Sequence, residues 1–227
     1  MNKNMRFVGS CLVIGTACVS VACGWNTTPP DDTGSSPTKQ EQGEADACLQ
    51  ADFELHRHMR VLWGARVSVT RLYIVSALAD LPDTGYVAAR LTKNHVDLGA
   101  SIKPYYGEAI GDELARVLND YAEGTTAYML SARGKDEAEM TRAYKAWCSH
   151  AEEVAAYFAA INPNLKEAEW RIEMQKHLEL TRSQITSRLA ADWTGDLAFH
   201  ELSIKQALRM SDLLSEGIAK QFPRHTE

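Results

Sequence analysis

Several polar side chains fall where the surrounding pattern calls for apolar ones, and their chemistry is that of charge and proton handling. Arg66 sits among Leu62, Trp63, Val69 and Tyr73, Asn94 lies between Leu91 and Leu98, and His177 stands beside Met174 and Leu178. Near the C-terminus, Ile185, Leu189, Trp193, Ile204, Ala207, Leu214 and Ile218 mark one helical face, with His200 near its middle and Asp196 one turn earlier. Burying such groups unpaired is costly, so they are expected to find each other. Asp196 and His200, four residues apart, can touch on a helix. Arg66 calls for a carboxylate, which Asp196 or Asp97 could supply. The stretch RLTKNHVDLGASIKPYYG, residues 90–107, places Asn94, His95 and Asp97 within one turn and then breaks at Pro104, where a helix must kink or stop. That break would let the hydroxyls of Tyr105 and Tyr106 turn inward. The expected site is therefore a buried polar cluster of Arg66, Asn94, Asp97, Tyr105, Tyr106, His177, Asp196 and His200 at one level of a helical protein.

Three uses compete for such a cluster: a self-satisfied network that fixes helix pairing, a pocket for a small ligand, and a metal site. Histidines and carboxylates from facing helices do bind metals in bundles, so His177, Asp196 and His200 form the candidate set for a divalent ion. The Glu-x-x-His pair of di-iron bundles is absent, and a buried Arg66 would repel a cation. No cofactor is expected on this pattern, with a divalent metal kept as the alternative. Gly-x-Ser-x-Gly, a phosphate-binding glycine loop and His-Glu-x-x-His are also missing, so no catalytic residue is assigned and the balance is against an enzyme.

The first 22 residues read as a targeting segment: Lys3 and Arg6, an apolar run from Phe7 to Ala22, then Cys23. Ser20-Val21-Ala22-Cys23 resembles a bacterial lipobox, which makes Cys23 the lipidation candidate and the membrane a partner through the anchor. Serine stands where that motif usually has leucine. Residues 24–47, rich in Pro, Gly, Ser, Thr and Asp, are expected to form a disordered tether. Gly24 after the cysteine favours the outer membrane, so the expected place is the periplasmic face of the cell envelope. Without Lys3 and Arg6, 22 basic residues face 30 acidic ones, a net charge of −8. An acidic chain with no basic run is not built for nucleic acid. Once the segment is removed and Cys23 acylated, Cys48 and Cys148 remain as a disulfide candidate joining the first helix to the third, or as two separate thiols.

From Cys48 to the end, residues 48–227, period 3.6 recurs and sustained period-two alternation does not appear. The first helix spans about 48–79 and stops at Leu81-Pro82-Asp83. A second covers about 86–102, breaks at Pro104 and resumes over about 108–132. The third carries Met140, Tyr144, Trp147, Ala151, Val154, Phe158 and Ile161 on one stripe, ended by Asn162-Pro163-Asn164. A short helix over about 166–178 precedes a capping-box spacing at Thr181 and Gln184, which would open a last helix running to about Gln221. Long helices with short connections imply antiparallel neighbours, hence an all-α, antiparallel four-helix bundle with one kinked member.

In their order and spacing, Leu62-Trp63, Leu81-Pro82-Asp83, Asn94 with Asp97-x-Gly99, Pro104-Tyr105-Tyr106-Gly107, Asn162-Pro163-Asn164, His177-Leu178 with Thr181, Asp192-Trp193 and Gln221-Phe222-Pro223 resemble an uncharacterised family of small bacterial helical proteins. The resemblance implies a helical fold and supplies no activity. Its pattern often has histidine at positions 66 and 206 and glutamate at 184, where this chain has Arg66, Gln206 and Gln184. If those positions hold a metal in relatives, this chain lacks three of the ligands. The reading that follows is an exported, lipid-anchored bundle acting as a binding or structural module for an unknown small ligand or protein.

Overall fold

The computed structural model describes residues 39–223, apart from the side chains of residues 40–42 and 44–49. The targeting segment, Cys23 and residues 24–38 of the tether lie outside the described residues, as does the side chain of Cys48. Among the described residues there are six helices and no strand: α1 (Lys39–Leu78), α2 (Thr84–Tyr106), α3 (Glu108–Gly134), α4 (Glu137–Ile161), α5 (Glu167–Leu189) and α6 (Trp193–Gln221). Each packs against its chain neighbours, and α6 returns to α1 to close a ring. The seams fix direction. Arg116 meets Glu153 while Ile110 meets Tyr157 between α3 and α4, and Arg60 meets Asp212 while Arg71 meets Asp196 between α1 and α6. Consecutive helices thus run up and down in turn, and α1, α3 and α5 also meet across the centre.

The ring closes over an aromatic and aliphatic core. Trp63, Phe158 and Trp170 stack around one another with ring centroids 4.1 to 6.5 Å apart. Met59, Ile74, Leu98, Leu118, Met129 and Leu214 fill the levels above and below. By length and composition, α1 from Gln50 to Leu78 could cross a membrane. Here it packs between α2 and α6, with Met59, Trp63, Val67 and Ile74 buried.

Three features correct the sequence reading. First, α1 begins at Lys39 rather than near Cys48. Lys, Gln, Glu and Ala are good helix formers, and extending a helix already nucleated by packing needs no further nucleus, so the polar end of the tether continues the helix. Second, the break near Pro104 is a chain reversal and not a kink in one member. Pro104 lies in the last turn of α2, and Gly107, at φ 87° and ψ 170°, sends the chain back as α3. That backbone conformation is essentially reserved for glycine. The returning helix comes very close: a Cβ on Gly99 would lie 2.2 Å from the carbonyl oxygen of Gly111. Third, Thr181 opens no helix. Its hydroxyl donates to the His177 carbonyl at 2.9 Å inside α5, which continues to Leu189. The cap of α6 is Asp192, whose carboxylate accepts from the Gly195 amide at 2.9 Å. The four expected members are therefore six.

Candidate functional site

Arg66 projects from α1 into the centre, where α3 and α5 supply its neighbours. Its Nη1 donates to His177 Nε2 at 2.9 Å, leaving the His177 proton on Nδ1, which donates to Gln206 Oε1 at 2.9 Å. Gln206 Nε2 in turn donates to the Glu173 backbone carbonyl at 2.8 Å, and the Glu173 carboxylate is taken up by Arg209. The Arg66 guanidinium also lies over the Tyr121 ring, 5.3 Å from its centroid. Burial, and then the Arg66 charge, hold the His177 pKa down to about 3, so this histidine is a neutral link.

No carboxylate among the described residues pairs with Arg66. Burial lowers its pKa, opposed only by Tyr121, yet a guanidinium stays protonated in proteins. Taking an ion out of water costs several kcal/mol after relaxation, against which a desolvated cation–π contact returns about 2 kcal/mol. The Nε atom has no hydrogen-bond partner among the described residues, whereas the Tyr121 hydroxyl lies beside the Trp147 indole. Arg66, Tyr121, Thr125, His177 and Thr181 line an inner cavity of about 10 Å³, roughly the room of one water.

Tyr73, Leu91 and Ala122 line this inner cavity and also an outer cleft of about 370 Å³ between α1, α2 and α3, which adds Thr92, His95, Asn119 and Thr126. His95 Nδ1 donates to Asn119 Oδ1 at 2.7 Å, which leaves Nε2 as an acceptor with no partner among the described residues. Burial, then Arg66, hold the His95 pKa down to about 3. The Tyr73 and Thr126 hydroxyls lie 3.3 Å apart, Thr126 Oγ1 also lying 3.0 Å from the Ala122 carbonyl, and Tyr73 stands where cleft and inner cavity adjoin. Larger grooves exist beside Ile172 and Met140, but none of their lining side chains is a buried polar group lacking a partner.

The structure thus joins Arg66 and His177 and disperses the rest of the expected cluster. Asn94 is buried one turn from Arg66 and donates to the Leu62 carbonyl at 3.1 Å. Asp97 pairs with Lys93 at the surface. Tyr105 and Tyr106 stack on Phe222 instead, because the reversal at Gly107 puts them at the end of α2 beside the end of α6. There Tyr106 donates to Gln221 and accepts from Asn162, so the three segments Pro104–Gly107, Asn162–Asn164 and Gln221–Pro223 tie off one end of the bundle. Asp196 is buried between Arg71 and Arg188, at 2.7 and 3.1 Å. His200 is half-buried and makes no hydrogen bond to it among the described residues; burial and then Arg71 lower its pKa. His177, Asp196 and His200 do not converge as metal ligands, and both ring nitrogens of His177 are engaged. Cys148, on α4, forms no disulfide among the described residues, and its expected partner Cys48 has its side chain outside them.

Tyr121, His95, Asn119 and Glu173 were not assigned to the site from sequence. Tyr121 reads as core on the α3 stripe, and only its position opposite Arg66 gives its ring a role. Two further groupings suggest chemistry. Asp120, His150 and Glu153 could hold a metal ion by distance, but Arg116 already lies across both carboxylates. His56 bridges Ser215 at 2.9 Å and Asp212 at 3.2 Å, yet Ser215 donates its proton to the Ser211 carbonyl at 2.9 Å and is no poised nucleophile.

Fold and site together define an all-helical bundle with a buried, unneutralised arginine behind a cleft. Comparison with family models, curated proteins and solved structures found no match to this chain.

Proposed function

We propose that this chain is an exported, lipid-anchored binding module of the bacterial cell envelope, held on the periplasmic side of the outer membrane by Cys23. The targeting segment followed by Cys23 supports export and anchoring, and the acidic, proline-rich stretch after it suits a spacer. One observation carries the binding role: behind the α1–α2–α3 cleft, past Tyr73, Leu91 and Ala122, lies a buried guanidinium with no counter-charge among the described residues. A purely structural network would be expected to close on itself, as Asp196 does with two arginines.

Anchoring is tested by detergent-phase partition of the wild type and Cys23→Ser. The wild type should enter the detergent phase and the variant the aqueous phase; a wild type found in water contradicts the anchor. Binding is tested by thermal-shift screening of small organic acids and amides against the wild type and Ala122→Trp, which fills the cleft. Compounds should stabilise the wild type alone. Equal responses from both proteins would place binding elsewhere.

A further inference from the structure

We propose that the inner cavity is a receptor for a small monovalent anion, held against the Arg66 guanidinium through its Nε–H. The inference deepens the binding reading of this site and rests on it for the route of entry past Tyr73, Leu91 and Ala122. Three independent observations converge here. Arg66 is fully buried and, among the described residues, pairs with no carboxylate. Arg66 lines the cavity, and its buried Nε has no hydrogen-bond partner among the described residues. The cavity volume, about 10 Å³, admits a single heavy atom.

The surrounding groups leave Arg66 Nε–H as the binding edge. Thr70, Thr125 and Thr181 each give their hydroxyl proton to a carbonyl of the preceding turn, on Arg66, Tyr121 and His177. His177 accepts from Arg66 Nη1 and faces Gln206 with its own proton. A water in the cavity would satisfy Nε–H and leave the charge unopposed, whereas an anion would satisfy Nε–H and neutralise the charge. A free halide is somewhat larger than the single water the cavity admits, so it enters with a small outward shift of the lining side chains. The carboxylate of a small acid shares the same chemistry and would reach Arg66 only with Tyr73 displaced toward the cleft.

The test uses the full-length chain in non-ionic detergent, with melting followed in chloride, bromide, formate, acetate and gluconate salts at one ionic strength. The wild type should melt higher in chloride and bromide than in gluconate, rising with concentration, and Arg66→Met should show no such rise. Stabilisation by formate and acetate alone would assign the anion to an organic acid. Equal melting in all five salts, or an unchanged halide response in Arg66→Met, would overturn the proposal. Should the variant fail to fold, anomalous diffraction from bromide-soaked wild-type crystals decides: a bromide within hydrogen-bond distance of Arg66 Nε is expected, and water alone there refutes it. Cleft compounds that bind without any salt response would leave the binding module standing and remove the anion. A halide site with no cleft compounds would do the reverse.

Discussion

At the scale of single residues, the centre of the molecule is a chain of neutral donors and acceptors hung on one charge. Arg66, His177 and Gln206 pass hydrogen bonds in one direction, which requires His177 to keep a bare Nε2. Protonating it would bring a second cation against Arg66. His177 and His95 both titrate near 3 in the folded chain, against 6.5 for an ordinary histidine. The unfolded chain therefore binds more protons between those values, and stability contributed by the neutral rings is full above pH 6.5 and is lost as pH falls toward 3. Each histidine contributes a slope of up to about 1.4 kcal/mol per pH unit in that window. Urea unfolding of the wild type from pH 7.5 to 5 should show this fall, and His177→Gln should flatten it by about half. A wild type equally stable at pH 7.5 and 5 would mean that these histidines are not held neutral.

At the scale of elements, glycines separate conformation from space. Gly107 has room for a methyl group and a backbone that disfavours one, so Gly107→Ala should cost about 1–3 kcal/mol. Gly64 lies inside α1 with open space around it, and Gly64→Ala should stabilise by about 0.5–1 kcal/mol. Chemical denaturation of the two variants should move in opposite directions; two losses, or two gains, would contradict this account of the reversal. The helical class and most boundaries were legible in the sequence, because stripes such as Met140 to Ile161 repeat at 3.6 residues and Leu81-Pro82 stops a helix by covalent chemistry. Arg66 and His177 were legible as interruptions of such stripes. Their partners were not, since pairing across helices depends on vertical register, and register is set by the turns. Reading Pro104 as a kink left Tyr105 and Tyr106 near the centre, whereas a reversal at Gly107 carries them to the end. Thr181 and Gln184 have capping-box spacing, but a threonine bonded to the carbonyl four residues back looks identical in sequence. Asp192 before Gly195 was the true signal.

At the scale of the whole molecule, six alternating helices bring α1, α3 and α5 together, and the arginine stands where they meet. Such a charge is hard to justify as a means of holding the ring shut. Salt bridges at the seams, including the Arg71–Asp196–Arg188 group, join helices with both signs present. Arg66 brings one sign only. If it is kept for binding, the fold gains nothing by it, and an apolar side chain of similar length should serve as well. The direct measurement is urea denaturation of the wild type and Arg66→Met in halide-free gluconate buffer at pH 7.5. Retaining the charge for binding predicts a variant as stable as the wild type or more so, because loss of the buried charge outweighs the bare His177 Nε2, which costs about 1–3 kcal/mol. A loss of about 3 kcal/mol or more on removing Arg66 would show that the arginine holds the bundle together, and would contradict the claim that its charge is kept for binding alone.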